Sequence, residues 1–205
     1  MTRRRVGILI SGGGSNMEAL IRDMAEPGHP SEPSIVISNR PDAGGLARAE
    51  AFGVPTKVID HRPFGDDRAA FDREIDRALR DVGTDLIAQA GFMRIHDADF
   101  PLAWAGRILN IHPSLLPAFK GLKTHSRALE AGCAIHGCSV HEVVPDLDAG
   151  FILGQAAVPV RAGDTPEALA ARVLKQEHLL YPAVLRAFAA DPEAARANPI
   201  ALFAS

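Results

Sequence analysis

"VGILISGGGSN", Val6 to Asn16, decides how the rest of the chain is read. Val6 to Ile10 carry no charge, and the run is short and unbroken, as a buried strand requires. Ser11 to Asn16 is a glycine loop. Met17 to Met24 then puts Met17, Leu20, Ile21 and Met24 on one helical stripe. Strand, glycine loop and helix in that order start a parallel α/β unit.

The same alternation continues downstream. A breaker-rich loop from Pro27 to Pro33 leads to a second strand at Ser34 to Ser38. A short Ala-rich helix, Gly44 to Phe52, stops at Gly53, and Pro55 to Ile59 is a third strand. Asp66 to Val82 is an amphipathic helix with Phe71, Ile75, Ala78, Leu79 and Val82 on one side. A fourth strand spans Asp85 to Ala90, a helix limited by Pro101 spans Asp97 to Ala105, and a fifth strand spans Arg107 to Ile111. The pattern changes after Gly121. A short helix at His125 to Ala131 precedes two strands, Cys138 to Val144 and Ile152 to Val160, joined by "PDLDAG" as an antiparallel hairpin with a long tip. The final helix, Thr165 to Ala189, has Thr165 or Asp164 as N-cap and Pro166 in its first turn, and Pro182 is expected to kink or break it. The last dozen residues carry no readable pattern. The expected fold is α/β: a Rossmann-like, mostly parallel sheet flanked by helices, with a C-terminal antiparallel hairpin and a long final helix.

The 205 residues suit one domain, and a net charge of −3 argues against a general nucleic-acid binder. Arg3-Arg4-Arg5 is the one dense basic run. Two cysteines, Cys133 and Cys138, form no C-x-x-C motif, which points to the cytosol. No apolar run reaches membrane-spanning length, and the first one ends at a glycine loop rather than a cleavage site.

The glycine loop is a natural phosphate site, because backbone N–H groups and the helix dipole both face an anion there. The plain alternative is a tight turn that needs glycine only for its shape. A dinucleotide fingerprint fails at Met17, and the second strand ends in Asn39-Arg40 where an acidic residue belongs. A Walker lysine is also absent. A phosphate monoester fits best, held by Gly12, Gly13, Gly14, Ser15 and Asn16.

"NIHPSLLPAFKG", Asn110 to Gly121, poses the chemical question. Period-two alternation puts Asn110 and His112 on one face at the mouth of the sheet. An amide donor beside an imidazole can stabilise a developing oxyanion. The hairpin tip offers Asp146 and Asp148, either of which could fold against His112 or hold a water for proton transfer. His112, His125, His136 and His141 invite a metal reading, but their spacing matches no zinc motif.

With "ISGGGSN", "SNRPDAGGLARAEAFGVP", "AGFMRI", "GRILNIHPSLLPAF", "GCSVHEV", "LDAG" and "QEHLLYP" in view, the chain resembles the phosphoribosylglycinamide formyltransferase family from Val6 to about Pro182. The resemblance implies transfer of a formyl group from the cosubstrate 10-formyltetrahydrofolate to the amine of glycinamide ribonucleotide in de novo purine biosynthesis, in the cytoplasm. It implies a single domain over 1–205, with a phosphate-binding half at about 1–105 and a folate and catalytic half at about 106–190. Asn110 and His112 would bind the formyl oxygen, and Asp148 would keep His112 protonated and position a water. Lys175, Gln176 and Glu177 would face the glycinamide. Arg68, Met93, Arg94, Ile95, His96, Asn110, Val144, Leu147 and Asp148 would face the folate.

No metal, nucleic acid or membrane partner is implied, and the protein would be a monomer or homodimer. The nearest rival is a formyltetrahydrofolate hydrolase, whose family carries an extra N-terminal regulatory domain. A methionyl-tRNA formyltransferase would need a further C-terminal domain. An oxidoreductase is disfavoured by Met17 and Asn39, and a silent phosphoribosyl-binding module by the presence of Asn110, His112 and Asp148. The sequence departs from the family at Lys120 and Phe151, where members often carry proline, and at Gly13, where others carry a side chain.

Overall fold

The computed structural model describes residues 2–204. Its first strand, β1 (Arg4–Ile10), shows why the apolar run is unbroken. Ile8 and Ile10 point into one hydrophobic cluster and Leu9 into the other, so both faces are covered. Helix α1 (Ser15–Met24) lies on the first face with Met17, Leu20, Ile21 and Met24 buried. Strand β2 (Ser31–Ser38), helix α2 (Gly45–Ala51) and strand β3 (Thr56–Val58) follow. Helix α3 (Arg68–Asp81) covers the second face through Phe71, Ile75, Ala78 and Leu79. Strand β4 (Leu86–Gln89), helix α4 (Asp99–Ala103) and strand β5 (Ile108–His112) complete the parallel part. Then come α5 (Thr124–Glu130), β6 (Ile135–Glu142), β7 (Ile152–Pro159), α6 (Pro166–Ala190), α7 (Pro192–Ala197) and β8 (Ile200–Phe203).

The eight strands among the described residues form one sheet in the order β3-β2-β1-β4-β5-β6-β7-β8. Five pairings are parallel, and β5–β6 and β6–β7 are antiparallel, so β6 alone runs against the rest. The strand order reverses between β1 and β4, which opens a crevice at their C-terminal ends. This is the expected fold class. Among the described residues no helix is long and apolar enough to cross a membrane.

Three local expectations are corrected. The stretch read as loop up to Pro33 already belongs to β2 from Ser31. There β3 does not reach, since it pairs only with Val36–Ser38, so β2 is locally an edge strand and tolerates Pro33. The register slips right after it, with Val6 opposite Pro33 and Gly7 opposite Ile35.

Pro182 does not break the last helix; α6 is continuous across it. An interior proline costs roughly 3 kcal/mol. Leu180, Tyr181, Val184, Leu185 and Phe188 are all buried around it, and each such burial is worth roughly 1.5–3 kcal/mol, so packing outweighs propensity. Tyr181 is fully buried, with its hydroxyl 3.0 Å from the Leu109 carbonyl and 3.2 Å from the Gln89 carbonyl. It fastens α6 to β4 and β5.

The last dozen residues are not featureless. Asp191 caps α7 by accepting from the N–H groups of Glu193 and Ala194, and β8 adds to β7 in parallel. The alternation of Ile200-Ala201-Leu202-Phe203 was the available signal.

Candidate active site

The C-terminal ends of β1, β4 and β5 lie side by side, so the glycine loop and the Asn110–His112 edge are two strand spacings apart, about 10 Å. Gly14 adopts φ +74° and turns the chain into α1. A Cβ there would lie 2.8 Å from Gly45 Cα and 3.1 Å from Met17 Cε, so glycine is required twice over. Gly14 offers no side-chain cap, and Ser15, Asn16 and Met17 have no helical acceptor four residues back. Their N–H groups stay open to a ligand. Glu18, in the same turn, would oppose an anion, but Arg22 and Arg48 bond it and hold its carboxyl below the usual range.

A cavity of about 460 Å³ runs beneath the loop, between Ser11–Asn16 and the segment Ala90–Arg94. Ser11 Oγ accepts the Met93 N–H at 2.7 Å and ties the two walls together. Asn39, Arg40 and His61 also line the cavity. Sequence reasoning did not place these three in the cleft. Their signal was position, since Asn39 and Arg40 follow β2 at the switch in strand order. Nothing local marked His61, which reaches the Asn39 carbonyl at 2.9 Å.

On β5, Ile108 faces the α3 side and Leu109 and Ile111 face the α6 side, which puts Asn110 and His112 together with Ile108. His112 Nδ1 is 3.4 Å from Asp148 Oδ2, and the two side chains are 8% and 7% exposed. His112 Nε2 is 3.1 Å from the Phe119 carbonyl, which can only accept, so Nε2 carries a proton. Asp148 stands in the left-handed region at φ +47° and accepts the Gly121 N–H at 2.8 Å. The tip can fold this way because Gly150 passes close to Glu142; a Cβ there would lie 1.8 Å from the Glu142 carbonyl oxygen. Asp146 remains exposed, so Asp148 is the carboxylate that reaches the histidine.

Asn110 is oriented by its neighbour on β6. His141 Nδ1 donates to the Glu142 carbonyl at 2.8 Å, which leaves Nε2 to accept from Asn110 Nδ2 at 3.1 Å. Burial pushes the pKa of His141 down, which suits that neutral ring. The second N–H of Asn110 is left for a ligand.

The remaining expected residues divide. Glu177 is buried on the α1 side of α6, and burial raises its pKa. Gln176 is half-buried, whereas Lys175 is exposed; consecutive helical residues point about 100° apart, so these three do not form one wall. Met93, Ile95, Val144 and Leu147 are all exposed apolar side chains on the loops around the cleft. Arg94 is half-buried and Arg68 exposed, and neither side chain takes a hydrogen bond or ion pair among the described residues. His96 turns inward instead. Its Nδ1 meets Asp72 at 2.7 Å, its Nε2 meets Gln89 at 2.8 Å, and its ring stacks between Phe92 and Phe100. Only its backbone is free to face a ligand. Among the described residues no three His, Cys, Asp or Glu side chains converge to hold a metal ion.

A family model described as formyl transferase matches residues 4–185. The chain is 54% identical to the phosphoribosylglycinamide formyltransferase of Brucella melitensis, whose crystal structure superposes with a TM-score of 0.87 over 92% of this chain and 97% of that one. It is 46% identical over 182 residues to the phosphoribosylglycinamide formyltransferase of Escherichia coli K12, covering 89% of this chain and 85% of the relative. It is also 49% identical over 182 residues to the trifunctional purine biosynthetic protein adenosine-3 of Gallus gallus. There the match covers 89% of this chain and only 18% of the longer protein.

Proposed function

Because the chain belongs to the formyl transferase family, we propose that it transfers the formyl group of 10-formyltetrahydrofolate to the amine of glycinamide ribonucleotide, in the cytoplasm and in de novo purine biosynthesis. The observation that carries this reading is the meeting of Asn110, His112 and Asp148 at the sheet edge next to an open helix N-terminus. The chain works as one domain. The half up to about residue 105 holds the substrate phosphate, and residues of about 106–190 carry the chemistry and the folate.

The N–H groups of Gly14, Ser15 and Asn16 hold the phosphate. Exposed Met93, Ile95, Val144 and Leu147 receive the flat apolar part of the folate, and Arg68 and Arg94 meet its carboxylates. The substrate amine attacks the formyl carbon, and the formyl C=O becomes a C–O⁻ single bond. The free N–H of Asn110 donates to that oxygen, and His112 exchanges the Phe119 carbonyl for it. Asp148 stands 3.4 Å from Nδ1 of His112, on the side of the ring opposite the Phe119 carbonyl. It also holds the water that takes the proton from the attacking nitrogen and returns one to the folate nitrogen as the C–N bond breaks. The formyl group ends on the ribonucleotide, and no covalent bond to the protein forms.

Deformylation to water, the hydrolase reaction, gains nothing from an open phosphate site, and none of the relatives described above is a hydrolase. The test follows absorbance with 10-formyl-5,8-dideazafolate, with and without glycinamide ribonucleotide. Deformylation that depends on the ribonucleotide is the expected result. Deformylation without it would replace the transferase by the hydrolase, and no deformylation in a folded protein would reject both.

A further inference from the structure

Helix α7 and strand β8 lie beyond residues 4–185, the stretch that the family model matches, yet one side chain of α7 reaches the base of the tip that carries Asp148. Arg196 Nε donates to Glu142 Oε1 across 2.6 Å. The two side chains are 26% and 12% exposed, so solvent screens the pair only in part. Among the described residues Arg196 is the one partner of the Glu142 carboxylate. Arg196 is itself held in place. Its guanidinium lies over the Phe188 ring of α6, 5.3 Å from the centroid, and it also pairs with Glu193 one turn back. Asp191 caps the start of α7, and β8 ties its far end to the sheet.

Glu142 is the last residue of β6, and its backbone touches both sides of the proposed chemistry. Its N–H donates to the Phe151 carbonyl at 2.9 Å and closes the tip. Its carbonyl accepts from His141 Nδ1, the bond that leaves His141 Nε2 to hold the Asn110 amide. Gly150 passes so close to that carbonyl that no side chain fits there. A tilt at Glu142 therefore moves the support of Asn110 and the root of the Asp148 tip together. We propose that Arg196 is a positioning residue: by gripping the Glu142 carboxylate it fixes the base of the 143–151 tip, and through it the placing of Asp148 against Asn110 and His112. The inference rests on the proposed reaction for what is positioned, whereas the link from Arg196 to the tip is a property of the fold alone. The glycine loop stands apart from this link, because it follows β1, and β4 and β5 lie between β1 and β6.

The test compares Arg196→Ala with Arg172→Ala in the full chain. Arg172 pairs with Asp164 at 2.7 Å and binds the Pro159 carbonyl opposite Ile135, at the other end of β6 from Glu142, so its loss is a control for stability alone. Arg196→Ala should lower kcat/KM for the formyl donor about tenfold and leave the ribonucleotide KM within about twofold. Arg172→Ala, at a similar loss of melting temperature, should leave both within about twofold. Glu142→Gln breaks the pair from the other side with the shape kept, so the link is readable even where Arg196→Ala does not fold. The double variant should be no worse than either single one, and Arg196→Lys, which keeps the charge, should recover part of the loss. An equal fall for both substrates, the same fall in Arg172→Ala, or additive losses would reduce Arg196 to a general staple and overturn the proposal. Amide hydrogen exchange reads the link without turnover. The N–H of Glu142 and the N–H of Gly121, which is bonded to Asp148, should exchange about tenfold faster in Arg196→Ala but not in Arg172→Ala. Unchanged exchange at both would overturn the link whatever the reaction. Faster exchange in a protein that transfers no formyl group would keep the link and reject the reaction.

Discussion

The rim built on β1 and the rim built on β6 and β7 reach the same cleft by different means. At Ser11 to Asn16 the groups proposed to bind are consecutive backbone N–H groups, and the shape of the turn depends on a side chain being absent at Gly14. At residues 143–151 the group proposed to work is one carboxylate, Asp148, placed by a left-handed backbone and by the N–H of Gly121 far away in the chain. The first rim is local in sequence and sensitive to a Cβ. The second is assembled across the fold and is sensitive to charge.

That contrast can be broken at several points. The largest effect belongs to the chemical rim: His112→Ala should lower kcat by about 10²–10³-fold while ribonucleotide affinity survives. Steady-state kinetics with calorimetry checks it, and near-normal turnover would remove His112 from the mechanism. Asp148→Asn keeps the shape, because asparagine also tolerates φ +47°, so an unchanged melting temperature should accompany a kcat loss of about 10²-fold. If kcat survived, the second rim would be working by shape and not by charge.

On the first rim, Gly14→Ala must accept a left-handed backbone and a 2.8 Å clash with Gly45. It should raise the ribonucleotide KM about tenfold, and a strain of about 2 kcal/mol should lower Tm by roughly 4–8 °C. A smaller effect concerns acid. Burial first, then His125 and His112, bring the pKa of His136 down to about 4 from 6.5. The unfolded chain therefore binds more protons between these values, so stability is full above 6.5 and falls as pH drops toward 4. His136→Gln should flatten that acid decline by about 3 °C in a melting series, and an unchanged slope would place the acid sensitivity elsewhere. The smallest effect is the sharpest control. A Cβ at Gly13 meets nothing within 4 Å, so Gly13→Ala should leave KM within about twofold. A large loss there would mean that the first rim reads side chains after all.

The same contrast explains what could be read from the sequence. The glycine loop and the Asn-x-His pair were legible because strand period and loop composition act over a few residues. Asp148 could only be offered beside Asp146, since choosing between them takes the fold of the tip around Gly150. His61 was missed, and the inward turn of the His96 side chain was not foreseen, for a related reason. His61 is brought to the cleft by the end of β2, and His96 is taken from it by Asp72, a residue of α3. Pro33 and Pro182 misled because propensity was read without the neighbours that override it, a missing strand in one case and a buried helix face in the other.

Tyr181 gives the site one more property. Its hydroxyl is anchored on the carbonyls of Gln89 and Leu109, the residue before Asn110, and Tyr181 lies one helical turn from Glu177. The span from Glu177 to Asn110 is thus set like the jaws of a caliper, with the tyrosine as its locking screw. In the proposed reaction, a ribonucleotide held at both ends is measured for length before it reacts.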